Sequence, residues 1–492
     1  MKETKSKEMG GRGSECLIVP KKQGNSLQED PEEGRGHRGI EPLKGKMDGT
    51  SSPTSVSTKL QRIAELSRKG PEMVWTTLAH HIDLDWLKVA YHQTRKDGAV
   101  GIDGQTAKEY AESLEENLQS LLDRFKSGTY KAPPVRRTYI PKGDGTKTRP
   151  IGIPTFEDKV LQRAVVMALE AVYEQDFLGC SYGFRPGRSA HQATEALRSE
   201  MWRVRGGFVL EADIRTFFDS LDHTCLREIL DKRVRDGVIR RAIDKWLRAG
   251  ALEEGKVERS GMGTPQGGVI SPMLSNIFLH EVLDKWFAQV VKPRLRGYAA
   301  LVRYADDWVA VFSDEGDAKR VMTVLPNRFG RFGLKLHPEK TRLLPFNPPD
   351  WHGDKADETP GKGPGSFDFL GFTFYWARMR KDGKWMIKLK TSRDRLTRSL
   401  KRITQWCKRH RHGPIEEQHR MLVLKLRGHY QYFGVIGNGK ALNQFYHEVR
   451  RIWRKWLNRR STNKPFLWDK FVLLLKRYPL PYPRVAYPSF ES

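Results

Sequence analysis

Two adjacent carboxylates, Asp306 and Asp307, lie between two apolar runs, Ala299 to Val302 and Trp308 to Phe312. Short apolar runs on either side of a polar turn are typical of a β-hairpin. Adjacent carboxylates repel each other, and keeping both ionised beside apolar strands is costly unless a cation compensates their charge. An isolated Asp-Asp pair is most simply a solvated turn, because Asp is common in turns. A metal site at this hairpin therefore requires a third carboxylate elsewhere in the chain.

Asp213 is the candidate for that third carboxylate, because it ends the strand-like run Phe208 to Ala212. Mg²⁺ prefers oxygen ligands, which separate strands can supply when the fold brings them together. Nucleotidyl transfer to a primer needs two such ions, one for the attacking hydroxyl and one for the triphosphate and its leaving pyrophosphate. A strand-end aspartate by itself is more simply a helix cap or a turn residue.

A basic hairpin is predicted upstream, from an alternating strand over Val135 to Ile140, a Pro/Gly turn, and a second strand over Lys147 to Ile153. Cations on a short stiff hairpin suit a triphosphate, because charge-assisted hydrogen bonds can follow the phosphates during transfer. The alternative is a solvated basic hairpin. The cations concerned are Arg136, Lys142, Lys147 and Arg149.

Two glycine-containing loops are further candidates for contact with nucleic acid. The loop Ser181 to Ser189 carries Arg185 and Arg188, which could lie against a phosphodiester backbone. The segment Gly261 to Asn276 has a bent backbone imposed by Gly and Pro. Its Gln266 offers both a donor and an acceptor, and so could contact a sugar or base without requiring one sequence.

Apolar periodicity and turn signals predict the surrounding elements. Helices are predicted at about 58–66, 84–95, 106–125 and 156–177, and from about 190 and 224, and an aromatic strand at 367–374. From about 388 to 460 the pattern is helical and basic, with one segment broken by glycine at 428 and 434, and the tail 478–490 is Pro-rich and extended. The basic faces of these helices suit a folded RNA. Their alternative reading, ordinary solvated helices, is disfavoured because acidic partners at i,i+4 are few. The candidate RNA contacts are Arg398, Arg402, Arg427, Arg451, Arg454 and Lys455.

The whole composition indicates a polyanionic partner. Lys and Arg number 87 against 59 Asp and Glu in 492 residues, a formal charge of +28. A membrane surface is the rival partner, but no apolar run reaches bilayer length and the N-terminus has no apolar signal segment. The four cysteines (Cys16, Cys180, Cys225 and Cys407) form no Cys-x-x-Cys pair, which argues against a zinc knuckle or disulfide framework and fits a reducing cytosol.

Five short motifs in one order resemble those of bacterial group II intron-encoded reverse transcriptase/maturases, over about residues 56–460. They are Arg149-Pro150-Ile151-Gly152-Ile153-Pro154, Tyr182-Gly183-Phe184-Arg185-Pro186, Thr264-Pro265-Gln266-Gly267, Tyr304-Ala305-Asp306-Asp307 and Phe369-Leu370-Gly371. The resemblance implies an α+β fold of right-hand polymerase architecture, with fingers and palm built on antiparallel sheet and a helical thumb/maturase domain. It also implies an RNA-directed DNA polymerase that binds its own intron RNA, assists splicing, and copies the intron by target-primed synthesis.

The resemblance implies the following roles for individual residues. Asp213, Asp306 and Asp307 are the catalytic residues and, with the backbone carbonyl of Ile214, the ligands of two Mg²⁺ ions. Phe218 falls where the family has a bulky gate against a ribose 2′-hydroxyl, so deoxynucleoside triphosphates are the expected substrates. Lys340 is the candidate acid for the departing pyrophosphate. The expected nucleotide contacts are Lys142, Arg149, Phe218, Gln266, Gly267 and Lys340.

The expected organisation is a disordered tail (1–55), an N-terminal extension and fingers (56–205), a catalytic palm (206–380), a thumb/maturase domain (381–460) and a short C-terminal extension (461–492). Many relatives end in a zinc-bearing HNH nuclease domain with paired cysteines. Cys407 is the last cysteine here, so no such domain is expected. The expected partners are intron RNA, target DNA or primer, and deoxynucleotides, in the bacterial cytoplasm near the nucleoid, with no membrane.

Two other readings stay open from the sequence. One is a splicing cofactor whose polymerase is vestigial, against which the three intact carboxylates argue. The other is a reverse transcriptase of another lineage, such as a retron, diversity-generating or CRISPR-linked enzyme, which the long maturase-like region disfavours.

Overall fold

The computed structural model describes residues 53–142, 147–253, 256–258, 267–348, 365–379, 382–460 and 466–485. The expected tail over 1–55 lies outside them except for its last three residues, which begin the first helix. The helices, in chain order, are α1 Pro53–Lys69, α2 Leu84–Gln93, α3 Ala107–Glu112, α4 Leu114–Ser127, α5 Phe156–Tyr173, α6 Ala190–Arg203, α7 Phe217–Ser220, α8 His223–Asp231, α9 Gly237–Arg248, α10 Ser271–Leu279, α11 Glu315–Gly330, α12 Arg393–Arg409, α13 Ile415–Phe433, α14 Gly439–Asn458 and α15 Trp468–Arg477.

The strands of the described residues form three sheets. The strands are β1 Val135–Lys142, β2 Lys147–Ile153, β3 Phe208–Ala212, β4 Ala251–Glu253, β5 Lys256–Glu258, β6 Ala299–Tyr304, β7 Asp307–Phe312, β8 Arg342–Pro345, β9 Ser366–Phe369, β10 Phe372–Arg378 and β11 Trp385–Thr391. Their orders are β2-β1-β4-β5, β6-β7-β3-β8 and β11-β10-β9. The second and third sheets are antiparallel throughout, and in the first only the β1–β4 pair is parallel.

We call the β6-β7-β3-β8 sheet the central sheet, and its strands β6, β7 and β3 are largely buried on both faces. Side chains alternate along its strands, as the period of two requires. Leu210, Leu301 and Ala310 face a core that they share with α1–α5 and α8–α11. Val209, Val302 and Val311 face a second core, built with α6, β9–β11 and α12–α15. The central sheet therefore joins the two helical parts of the molecule.

The predicted α+β fold is confirmed, as are the basic hairpin β1–β2 and the acidic hairpin β6–β7. Four details of the prediction were wrong. The helix predicted over 106–125 is broken at Ser113, whose φ and ψ of −123° and 49° are not helical. The helix predicted over 156–177 ends at Tyr173. The aromatic stretch 367–374 is not one strand, because Leu370 and Gly371 form a turn between β9 and β10 with positive φ.

The fourth error concerns the C-terminal region. The helical pattern predicted from 388 begins only at Arg393, because β11 runs to Thr391 and pairs with β10. The expected boundary between palm and thumb falls in the chain between β10 and β11, and it stays a prediction. Gly428 does not break its helix, since α13 continues to Phe433 and ends before Gly434.

The buried side-chain amide of Asn438 connects the C-terminal helices to the β9–β11 sheet by hydrogen bonds. Asn438, just before α14, is 1% exposed. Its Oδ1 accepts from Thr391 N at 2.8 Å, and its Nδ2 donates to Thr391 Oγ1 at 2.8 Å and to Phe433 O at 2.7 Å. One side chain thus provides hydrogen-bond partners for polar groups at the end of β11 and at the end of α13.

We expect Asn438→Ala to lower the free energy of unfolding by about 2–3 kcal/mol, because it leaves buried backbone groups of Thr391 and Phe433 without partners. Urea denaturation measures the change. Asn443→Ala, at an exposed position of α14, is the matched control and should change stability by less than about 0.5 kcal/mol. Equal stability of the two variants would contradict the anchoring role of Asn438.

Candidate active site at the end of the central sheet

The pairing of β3 with β7 brings the three carboxylates to one end of the central sheet. Ala212 pairs with Trp308 in the antiparallel β3–β7 ladder. Asp213 therefore follows directly after the end of one strand, and Asp307 begins the neighbouring strand. Tyr304 pairs with Asp307 across the β6–β7 hairpin, which leaves Ala305 and Asp306 as its two-residue turn. The backbone thus gathers residues that are 93 positions apart in sequence.

The turn has a strained backbone that a neighbouring loop holds in place. Ala305 has φ of 57°, in the left-handed region that residues other than Gly, Asn and Asp seldom adopt. Gly183 packs directly on this turn, since a Cβ built on it would lie 2.2 Å from Ala305 N. The loop itself is paired to β6, because Tyr182 N donates to Arg303 O at 2.8 Å. The motif around Gly183 is therefore part of the support of the turn.

The backbone around Asp213 is fixed from the other side by the segment before β8. His337 N donates to Asp213 O at 2.8 Å, and Arg215 N donates to Lys335 O at 2.8 Å. The same segment delivers Lys340, whose Nζ lies 2.5 Å from Asp213 Oδ2. The Lys340 side chain is 63% exposed and the Asp213 side chain 28%, so the pair faces the solvent-accessible end of the sheet.

The donor types at this sheet end fit a hard divalent cation, since three carboxylates and backbone carbonyls are the ligands that Mg²⁺ prefers. The side chains are not gathered as a closed site, however. In the part of the chain that the structure describes, no group of three or more His, Cys, Asp or Glu side chains is arranged to hold a metal ion. The ammonium of Lys340 instead compensates Asp213. Ile214, the predicted carbonyl ligand, is 4% exposed and forms a bridge with Leu336.

Phe218 lies on the short helix α7 that begins four residues after Asp213. Its ring is half-buried and meets the buried Phe217 edge-on at 5.4 Å. Phe217 in turn contacts Phe278 of α10, with ring centroids 6.4 Å apart. Thr216, the residue just before the helix, has φ of 43°. Phe218 is therefore supported by the Phe217 ring, on a helix that closely follows Asp213 in the chain.

The basic hairpin contacts the segment that follows Gln266. Gly267 has φ of 108°, and a Cβ there would lie 2.6 Å from both Gly152 O and Ile151 Cγ2. Arg149 lies on β2, where it pairs with Ile140. Lys142 ends β1 opposite Lys147, but its side chain lies outside the described residues, as does the whole of Gln266. Gly267 thus packs against β2, whereas the side chains of the predicted nucleotide contacts Lys142 and Gln266 are outside the part of the chain that the structure describes.

Arg185, which was predicted to bind RNA, is buried inside the fold. Its side chain is 4% exposed, ion-paired with Glu174 at 2.9 Å, and donates to Leu178 O and Ser181 O at 2.9 and 2.8 Å. A guanidinium with these partners organises the loop, and the expected RNA contact of Arg185 stays a prediction. Arg188 is half-exposed, lies over the ring of Tyr182 at 5.1 Å and donates to Gly179 O.

The predicted RNA contacts on α12–α14 differ in exposure. Arg427, Arg451 and Lys455 are exposed, and Arg451 pairs with Glu448 at 3.1 Å. Arg398 is largely covered and pairs with Asp394 at 2.7 Å, while Arg402 is half-buried. Arg454 is half-buried and lies over the ring of Trp468 at 5.0 Å. These helices present cations to solvent while their apolar faces pack in the second core.

The comparisons with known proteins agree with this geometry. Residues 140–374 match the model of the family "Reverse transcriptase (RNA-dependent DNA polymerase)". The chain is 33% identical to Protein YkfC of Escherichia coli K12 over 331 residues, which cover 61% of this chain and 83% of that protein. It is 39% identical to the Group II intron-encoded protein LtrA of Lactococcus lactis subsp. cremoris over 235 residues. The chain belongs to the reverse transcriptases encoded by group II introns.

The match to LtrA covers 47% of this chain and 38% of LtrA, so the chain spans well under half of that relative. A match to Nuclear intron maturase 2, mitochondrial, of Arabidopsis thaliana is 26% identical over 270 residues, covering 46% of this chain and 35% of that protein.

Reverse transcriptases as a family use divalent metal ions. Among the helices described here, none is both long and apolar enough to cross a bilayer.

Sequence reasoning missed three residues beneath the turn: Arg303 on β6, and Asn276 and Asp284 on the helix that starts at Ser271. All three are buried, and Arg303 and Asp284 are 0% exposed. The available signal was the charge itself, because Arg303 interrupts an otherwise apolar run that ends in Tyr304. A charge at such a position is almost always paired.

A buried carboxyl lies behind the loop that follows Gly267. Asp158 of α5 is 2% exposed and lines a small cavity with Gln162, Trp246 and Ile270. Gln162 Oε1 accepts from Val269 N at 2.8 Å, which ties this loop to α5. Burial raises the pKa of Asp158 to about 7 from an ordinary 3.8.

We expect Asp158→Asn to flatten part of the pH dependence of stability. The folded chain keeps the proton of Asp158 up to about pH 7, whereas the unfolded chain loses it near pH 4. Folding therefore takes up a proton in this window, and wild-type stability falls as pH rises through it. Urea denaturation of both proteins from pH 5 to pH 8 measures the difference. Their stability curves should diverge in favour of the variant as pH rises, and parallel curves would contradict the raised pKa.

Proposed function

We propose that the chain is an RNA-directed DNA polymerase that also binds its own group II intron RNA and assists its splicing. The observation that carries the proposal is the β3–β7 register, which delivers Asp213, Asp306 and Asp307 to one end of a sheet. The membership of the family, the bulky side chain of Phe218 on the helix that follows Asp213, and the contact of Gly267 with the basic hairpin support it.

In the proposed mechanism Asp213 and Asp306 would hold two Mg²⁺ ions, and Asp307 and the Ile214 carbonyl would be further ligands. When bound, such ions activate the primer hydroxyl and stabilise the charge of the leaving pyrophosphate. Charge repulsion between the aspartates disfavours the closed arrangement without a cation, and Lys340 relieves part of it at Asp213.

The remaining candidate residues act on the nucleotide. Lys142 and Arg149 neutralise the triphosphate, while Gln266 and Gly267 border the sugar and base. Phe218 leaves no room for a ribose 2′-hydroxyl, so deoxynucleotides are selected. Lys340 releases Asp213 when the substrate arrives and donates a proton to the pyrophosphate.

The proposed organisation follows the sequence, with fingers over 56–205, the palm over 206–380 and a thumb/maturase region over 381–460. The hairpin β10–β11 bridges the last two. Intron RNA binds the exposed cations of α13 and α14, and the ribonucleoprotein copies the intron into DNA from a primer at its target site.

We expect Asp306→Asn to reduce primer extension on an RNA template at least about a thousandfold, because loss of a metal ligand removes several kcal/mol of transition-state stabilisation. The assay measures deoxynucleotide incorporation with Mg²⁺ at saturating primer. Glu315→Ala, an exposed carboxylate paired with Lys319 on α11, is the control and should keep full activity. Undiminished synthesis by Asp306→Asn would refute the site. Splicing of the intron should survive the substitution, and its loss would mean that the two activities share this site.

We expect Arg451→Ala combined with Arg454→Ala to weaken binding of intron RNA and to lower the slope of log K against log salt by about one unit for each lost phosphate contact. Arg451→Ala alone should give most of the effect, because Arg454 is half-buried against Trp468. Filter binding at several salt concentrations measures both quantities. Arg331→Ala, at an exposed position after α11, is the control. The same affinity and slope in the double variant would assign α14 an ordinary solvated face.

A further inference from the structure

The turn that carries Asp306 lies on a buried charged network. Arg303 stands two residues before Ala305 and is 0% exposed. Its guanidinium makes four hydrogen bonds: Nε to Asp284 Oδ1 at 2.8 Å, Nη2 to Asp284 Oδ2 at 2.6 Å, and Nη1 to Asn276 Oδ1 and to Ala305 O, both at 2.9 Å. The last acceptor is the carbonyl of the peptide that leads into Asp306.

The partners of Arg303 are themselves fixed. Asn276 lies on α10, and its Nδ2 donates to Gly183 O at 2.7 Å. Asp284 ends the π-helical turn His280–Asp284 that continues α10. Turns of this kind are rare and frequently occur at functional sites. One helix therefore holds both Arg303 and the loop that packs on Ala305.

A fully buried ion pair is a poor way to gain stability. Removing two charges from water costs about as much as their attraction returns, so apolar replacements of similar size are often equally stable. Burial opposes ionisation of Asp284, but Arg303 and His280 together outweigh it and hold the pKa of Asp284 below its ordinary value. The rigid planar guanidinium instead fixes the relative positions of its partners, because it binds a carboxylate, an amide and a main-chain carbonyl at the same time.

We propose that Arg303 is a positioning residue for the catalytic turn. It holds the Ala305 carbonyl and the left-handed backbone of that residue, and so fixes where Asp306 presents its carboxylate. Asp284 and Asn276 orient Arg303. The inference rests on the proposed polymerase function, and it assigns the network a role in setting the metal and primer geometry.

The decisive variant replaces the ion pair by neutral side chains of similar size, Arg303→Met with Asp284→Leu, so that no unpaired charge is left buried. The matched control replaces a second buried pair in the same way, Arg233→Met with Asp176→Leu. That pair is joined at 2.7 Å, with side chains 7% and 12% exposed, and it lies beside α1 rather than the turn. Both variants remove one buried ion pair, but only the first alters the turn.

Three readouts are compared in the full-length protein. For Arg303→Met/Asp284→Leu we expect kcat of primer extension to fall by about 10- to 100-fold with little change in the KM for deoxynucleotide, since small misplacement of catalytic groups costs up to about 100-fold. Titration with Mn²⁺, followed by electron paramagnetic resonance, should give weaker binding. Amide hydrogen exchange of peptides covering Ala299 to Phe312 should be faster. The control pair should leave all three at wild-type values in its folded fraction.

Arg303→Lys keeps the charge and loses the fork of donors, and it serves if the double variant fails to fold. It should retain the pairing with Asp284 and lose the hold on Ala305, with an intermediate fall in kcat. Wild-type kcat, Mn²⁺ affinity and exchange in a folded Arg303 variant would overturn the proposal. If the wild-type protein itself extends no primer, the proposed function fails, while Mn²⁺ affinity and exchange still decide the role of Arg303.

Discussion

The pairing of β3 with β7 is the constraint on which the rest of the structure depends. A shift of one residue in this ladder would move every side chain of β3 to the opposite face of the central sheet. Leu210 and Val209 would exchange cores, and Asp213 would no longer end its strand beside Asp307. Because both faces are buried, the packing of the two cores fixes the register, and the register fixes the meeting of the carboxylates.

Electrostatics sets the second requirement. The turn places two adjacent aspartates next to a third, and positive charge is distributed around them at different depths. Arg303 lies beneath the turn with no exposure, paired to Asp284, while Lys340 lies at the surface on Asp213. The buried cation is fixed and defines the geometry of the turn. The exposed one has a flexible stem, so it can leave Asp213 without disturbing the fold.

Much of the site was predictable from local sequence. The hairpin at Asp306 and the strand ending at Asp213 follow from short patterns, because each depends on a few neighbouring residues. The gating role of Phe218 comes only from the family resemblance and stays a prediction. The errors came where distant contacts decide. In the sequence, Arg185 looks like an exposed cation of a glycine-containing loop. In the structure, its guanidinium is buried and forms an ion pair with Glu174. The strand β11 reads as part of a basic helix, because only its pairing with β10 gives it an extended backbone. Arg303 was missed since its partners lie 19 and 27 positions away.

The central claim is that Asp213 and Asp306 jointly hold the catalytic cations once substrate is bound. The most direct measurement is an experimental structure of the protein with an RNA template, a DNA primer lacking its 3′-hydroxyl, a deoxynucleoside triphosphate and Mn²⁺, which anomalous scattering locates. The account predicts Mn²⁺ at bonding distance from carboxylate oxygens of both Asp213 and Asp306, with Lys340 moved from Asp213 toward the phosphates. Mn²⁺ bound elsewhere, or Lys340 still paired with Asp213 beside a bound nucleotide, would contradict it.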